Sequence, residues 1–311
     1  MSAPKILQPG EIEAFSSAIP QLHPPAADLF RARAGRLRRI APDHSLAAYL
    51  GFIAAIADCQ QSLLEGLSDL PEAASRHVER RREHGLPPLA IDGWPRDPVW
   101  RGLARTLATE VAGDAPAQAQ AVMDRIAGSS DDWLEDQASA LLALDLARVD
   151  IAASTIIGAA LQVYWVRLAR GFDPTGVARP DPPRLCPVCG AHPVASVVHM
   201  GGTDDALRYL VCSLCASHWY LERVKCSNCA NTRDLGYHAV ENPKSAIRAE
   251  SCPDCHSYLK VLYRNLLPEL DPTADDLGSL ALDWLMSDEG YARSGVNLML
   301  LQAAPAPREA H

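Results

Sequence analysis

Across 311 residues the chain carries no phosphate loop, no dinucleotide-binding glycine fingerprint, no nucleophile elbow and no HExxH pair. That removes the commonest routes to nucleotide chemistry, acyl transfer and zinc-dependent hydrolysis. A basic field is also missing: the formal charge is −9, whereas a general nucleic-acid binder carries the opposite sign. The most apolar stretch, residues 151–166, is interrupted by Ser154, Thr155 and Gln162 and bounded by Asp150 and Arg167. It is too short and too polar for a comfortable membrane span and reads as a buried helix. Residues 1–9 hold neither an apolar signal segment nor a twin-arginine leader, so the expected compartment is the cytoplasm.

Against these absences stand nine cysteines, eight of them in CxxC pairs. In a reducing compartment such pairs point to metal ligation rather than to disulfides. Cys186, Cys189, Cys212 and Cys215 lie at offsets 0, 3, 26 and 29, and Cys226, Cys229, Cys252 and Cys255 repeat those offsets 40 residues later. One CxxC turn points two sulfurs at one spot, and two turns supply the four thiolates of a closed tetrahedral site. The repeat argues for first knuckle with second and third with fourth, hence two metals; a crossed pairing is the alternative. Four protein ligands leave no open position for substrate or water, which argues against metal-assisted hydrolysis. One-electron chemistry is compatible with the same ligands, and the spacing does not choose between zinc and iron. Acids and bases nearly balance over residues 186–265, and eight thiolates with two divalent cations make that segment negative. This weakens a zinc-ribbon nucleic-acid-binding reading further.

The sequence around the cysteines repeats with them. Val197-Val198, a turn-like 201–205 and Ala206-Leu207-Arg208 map onto Tyr237-His238, 241–245 and Ala246-Ile247-Arg248. Extended runs follow each second knuckle, at 219–224 and 258–263. Upstream, apolar residues at helical spacing mark 45–66, and Asp97-Pro98 caps a helix reaching about Val111. Further helices are expected over 116–127, 131–146 and 149–170. Prolines 174, 180, 182 and 183 then break the helical pattern.

The expected fold class is therefore α+β. A bundle-like helical domain (1–170) and a proline-rich linker (171–185) precede two CxxC/CxxC units, 186–225 and 226–267, and a C-terminal helix and tail (268–311). One amphipathic helix is expected over 271–286, and the tail from 303 is expected to fray.

The remaining candidates have plainer readings. Cys59 suits a core thiol. His192, His218 and His256 stand beside the knuckles, as surface rings or as partners of the ligands. Arg31, Arg33, Arg36, Arg38 and Arg39, and likewise Arg76, Arg80, Arg81 and Arg82, suit solvated helix faces, with docking of an acidic partner as the alternative.

The wording of the knuckles resembles the formate dehydrogenase accessory protein family, the FdhE type. The residues concerned are Cys186-Pro187-Val188-Cys189-Gly190 with Pro193-Val194-Ala195-Ser196, and Leu207-Arg208-Tyr209-Leu210 leading into Cys212-Ser213-Leu214-Cys215 and Trp219. Arg223-Val224-Lys225-Cys226 and Glu250-Ser251-Cys252-Pro253-Asp254-Cys255, running into 258–263, complete the likeness. The resemblance implies a cytoplasmic, non-enzymatic assembly chaperone that binds the catalytic subunit of a respiratory formate dehydrogenase. It also implies two rubredoxin-like iron ions at the eight cysteines, with zinc as the alternative metal. A rubredoxin-type electron carrier would use the same ligands but scarcely needs so long a helical segment.

Overall fold

The computed structural model describes residues 21–67, 72–171, 173–178, 180–199, 207–240 and 242–301. The expectations for residues 1–9, for the 201–205 turn, for Glu241 and for the tail from 303 lie outside them. The architecture is mixed α and β. Seven helices come first: α1 (Leu29–Ile40), α2 (Ala47–Gly66), α3 (Glu72–Glu83), α4 (Val99–Glu110), α5 (Gln120–Ala127), α6 (Asp131–Leu142) and α7 (Ile151–Arg170). The apolar 151–166 run lies in α7, whose residues 156–166 are all buried. This helix packs against α2, α4, α5 and α6. Both α2 and α7 are long and apolar enough to cross a membrane by length and composition, but α7 is the core helix of this fold.

Local chemistry sets the helix ends. Asp150 accepts bonds from the Ala152 and Ala153 amides, and Ser130 accepts one from Trp133, which satisfies donors that a first turn leaves free. Asp97 does the same for Val99, and Pro98 already has helical angles. The helix expected over 131–146 stops at Leu142, and Leu144 turns left-handed with φ +53°.

The C-terminal half, joined by one short strand that precedes α1, forms one sheet. Its strands are β1 (Leu22–His23), β2 (Pro193–Val198), β3 (Arg208–Cys212), β4 (His218–Tyr220), β5 (Gly236–His238), β6 (Ile247–Cys252), β7 (Ser257–Tyr263) and β8 (Ala292–Arg293). Each CxxC unit contributes a three-stranded antiparallel piece, β2-β3-β4 and β5-β6-β7. The two pieces join edge to edge where β2 runs parallel to β7, giving the order β1-β4-β3-β2-β7-β6-β5, with β8 also on β7. At the join Arg208 of β3 makes a two-pronged buried ion pair with Glu250 of β6, both contacts 2.8 Å, and its Nε donates to Ser196.

The helix expected over 271–286 is two, α8 (Pro272–Leu277) and α9 (Leu280–Asp288). Gly278 separates them at a point where Ile40 of α1 approaches so closely that a Cβ would lie 2.9 Å from its Cδ1. Trp284, expected on the apolar face, is 83% exposed. The carboxylates of Asp271, which caps α8, and of Asp275 within it face inward and meet two arginines of the α1 cluster. Arg36 clasps Asp275 at 2.7–3.0 Å, and Arg33 lies 3.4 Å from Asp271. Arg33 and Arg36 are therefore buried and paired within the chain, not on a solvated face. Arg31 and Arg38 remain outside, paired with Glu65 and Asp58.

Candidate metal centres

The eight CxxC cysteines converge in two groups, Cys186/Cys189/Cys212/Cys215 and Cys226/Cys229/Cys252/Cys255, each with all sulfurs within 4.8 Å of one another. Within the first group Cys186 and Cys215 are 3.7 Å apart and Cys189 and Cys212 3.4 Å; in the second the matching distances are 3.8 and 3.6 Å. A metal bonded to four sulfurs at about 2.3 Å requires tetrahedral edges of about 3.8 Å. The donor set and its spacing thus fit a tetrahedral ion of zinc or iron size, and the grouping is the uncrossed one.

All four knuckles are built alike. After the second cysteine the chain turns left-handed at Gly190 (φ +76°), Ala216 (+54°), Ala230 (+64°) and His256 (+48°). Only glycine adopts this conformation freely, so three knuckles hold it against a steric cost. The amides of Gly190 and Ala230 donate to the carbonyls of Cys186 and Cys226, and those of Cys186 and Cys226 to the carbonyls of Ala191 and Asn231. Sulfurs accept bonds from the amides of Leu214, Cys215 and Asn228 and from the Asn231 side chain. Ser217 and Ser257, equivalent under the 40-residue repeat, lie 3.3 and 3.0 Å from Cys215 and Cys255. These groups favour thiolate over thiol. Sequence reasoning passed over both serines, although the repeat that paired the cysteines pairs them too.

Electrostatics inside each group calls for a cation. Burial pushes the Cys186 and Cys189 thiols well above the ordinary range. Cys215 is equally buried, yet hydrogen bonds from the other three thiols and from Ser217 hold it well below that range. In the second group burial also opposes ionisation of Cys255, but Ser257, Asn228 and Cys229 bring it down to about 7. One sulfur per cluster takes the charge readily, and a divalent cation would favour the thiolate form of the buried Cys186 and Cys189 as well.

The two groups differ in their surroundings. All four cysteines of the first are buried and belong to the main hydrophobic core that includes α1, α2, α4 and α7. The amides of Leu89 and Ile91 donate to the carbonyls of Val188 and Cys189, and the Gln162 side chain of α7 donates to Ser213. In the second group Cys229 is exposed and Cys255 half-buried. The three neighbouring histidines donate no hydrogen bond to a cluster sulfur: His218 faces His199 instead, and His256 is exposed beside Tyr291. Cys59 packs half-buried on the helical core, where burial raises its thiol to about 11.

Comparison with known proteins gives a consistent match over most of the chain. Three family domains align in order: "FdhE, N-terminal" over residues 18–181, "FdhE, central domain" over 185–223 and "FdhE, C-terminal domain" over 224–300. A protein FdhE homolog of Cronobacter sakazakii is 42% identical over 284 residues, covering 90% of this chain and 91% of its own. One of Pseudomonas aeruginosa is 37% identical over 300 residues, covering 95% and 97%. The crystal structure of the FdhE protein from Pseudomonas aeruginosa has the same fold, with a TM-score of 0.83 at 36% identity over 91% of this chain and 99% of that one.

Proposed function

This chain belongs to the FdhE family, and from that premise we propose that it serves formate dehydrogenase as a cytoplasmic accessory protein without catalysis of its own. The observation that carries the reading is the family match through all three segments, residues 18 to 300. Its client is the catalytic subunit, held transiently before the enzyme is complete. The eight cysteines hold two metal ions, iron by preference and zinc as the alternative, and make the scaffold sensitive to redox conditions. Four sulfurs would hold each ion, and an iron ion held there would supply a reversible one-electron couple.

The docking place is the junction of helices and sheet. A cleft of about 550 Å³ opens there between α1, β3, β4 and α8, lined by His23, Leu29, His199, Tyr209, His218 and Arg264. Concave junctions of this size suit the capture of a protruding segment. Cys212 and Ala216 also line the cleft, so a client seated in it contacts the wall of the first cluster.

The test is deletion in a strain that makes a respiratory formate dehydrogenase, with copurification of client and chaperone. Loss of dehydrogenase activity, restored by the wild-type chain, is expected. Unchanged activity in the deletion strain would sink the accessory role. The client is expected in pull-downs with wild type, and a Cys226→Ser/Cys229→Ser chain that keeps its fold but not its client assigns the second unit to recognition. Visible absorption of the anaerobically purified protein separates coloured tetrathiolate iron from silent zinc.

A further inference from the structure

The two cysteine groups have the same ligands and spacing but different surroundings: the first is buried throughout, whereas in the second only Cys226 and Cys252 are. Cys186, Cys189, Cys212 and Cys215 are at most 2% exposed and are part of the main core. Both of their knuckles are also clamped by the helical half: the first by the amides of Leu89 and Ile91, the second by Gln162, with Trp219 tied to the Pro183 carbonyl behind it. No cysteine of the second group enters any of the hydrophobic clusters among the described residues. Among the described residues its sulfurs are bonded from within their own unit, by Asn228, Asn231 and Ser257, and the backbone bond that its second knuckle receives at His256 comes from Ala292 of β8, not from the helices. One of its ligands, Cys229, is exposed and a second, Cys255, is half-exposed.

We propose that the first tetrathiolate is a fixed strut and the second an exchangeable metal site, entered through Cys229. Tetrathiolate metals leave by associative substitution: an incoming ligand must reach the ion before a protein sulfur departs. Around the first ion all four ligands are at most 2% exposed, Cys212 at the wall of the neighbouring cleft included, and the knuckles cannot open without breaking bonds to α7 and residues 89–91. Around the second, a small thiol or chelator reaches the ion from the Cys229 side. The incoming sulfur bonds the metal, the Cys229–metal bond breaks, and Cys229 takes up the proton that the incoming thiol gives away. No electron changes hands, and the metal keeps its oxidation state. Loading runs by the reverse step, which makes a thiol-bearing metal donor the partner that this site fits.

This inference rests on the eight cysteines holding two metals and is independent of the client. The full-length protein loaded with zinc is mixed with excess 4-(2-pyridylazo)resorcinol, whose zinc complex is coloured. One equivalent is expected to leave about tenfold or more faster than the other. Iodoacetamide added after the fast phase is expected to label the tryptic peptides 226–233 and 249–260 and to spare 185–208 and 209–223. Cys229→Ser is expected to abolish the fast equivalent and keep the slow one. Two equivalents leaving together, or first labelling in 185–208 or 209–223, overturns the proposal. A protein that loads no zinc and no iron overturns the metal reading itself, an outcome distinct from both.

Discussion

The side-chain amide of Gln162, inside the central helix, donates at 2.7 Å to the carbonyl of Ser213, inside the second knuckle. The same side chain accepts from Gln60 of α2 and Arg33 of α1. A polar group in the most apolar helix thus ties three helices to the first metal centre. Buried polar groups cost stability unless they are bonded, so a glutamine bonded on both ends fixes the knuckle's position relative to α7.

Gln162→Leu is expected to leave the Ser213 carbonyl and the Arg33 guanidinium short of partners at a cost of about 1–3 kcal/mol. Urea unfolding measures the loss, and chelator release from the first site should quicken in the same variant. An unchanged midpoint would mean that water replaces the amide.

Metal content should respond to each cysteine group separately. Cys186→Ser is expected to reduce two metal equivalents to one and to lower the thermal midpoint of the helical circular-dichroism signal, because that site is part of the helical core. Cys226→Ser should also retain one equivalent yet leave the helical midpoint nearly unchanged. Structural tetrathiolate sites are worth on the order of 10 kcal/mol. Loss of both metals from either single variant would contradict the observed grouping.

The Arg208–Glu250 pair joins the two cysteine units and is 2% and 4% exposed on its side chains. Glu250 also accepts from Tyr237 at 2.8 Å. Glu250→Ala is expected to cost about 3–5 kcal/mol, since it strands a buried guanidinium. Arg208→Met/Glu250→Leu should recover most of that loss, because two apolar groups need no partner. Denaturant unfolding of the three proteins gives the comparison.

Asp276 sets part of the acid limit. Burial opposes its ionisation, but Arg293 and Lys260 outweigh burial and hold the carboxyl below the ordinary value. The unfolded chain therefore binds this proton more readily than the folded one. The stabilisation is present above about pH 4 and is lost as pH falls through the folded value. Asp276→Asn is expected to lower stability at neutral pH and to flatten the decline below about pH 4, read from unfolding midpoints at a series of pH values.

Ala230 holds a left-handed conformation, φ +64°, at a position where the first knuckle has Gly190. Ala230→Gly is expected to relieve about 1 kcal/mol of backbone strain and to slow metal release from the second site. Faster release would mean that the methyl group packs against the knuckle and contributes more than the strain costs.

Much of this molecule is legible from short-range chemistry. A CxxC turn is a local object, so the eight sulfurs follow from spacing and the repeat favours the grouping that the fold adopts, while the helix ends at Asp97, Ser130 and Asp150 follow from capping residues. The break at Gly278 was not legible, because it depends on Ile40 arriving from another part of the chain. Nor was the burial of Arg33 and Arg36: an arginine-rich helix face looks solvated until α8 supplies its carboxylates from more than 230 residues away. Two-residue strands such as β1 and β8 have no periodicity to detect.

By itself, the sequence determined which atoms can hold metal, and its 40-residue repeat favoured the uncrossed grouping over the crossed one. Tertiary structure alone decided that the two groups are unequal. The β2–β7 pairing fuses the units into one sheet, and the helical core closes over Cys186, Cys189, Cys212 and Cys215 while leaving Cys229 in solvent. Burial is a property of what packs against a residue from elsewhere in the chain, and identical local motifs carry no record of it.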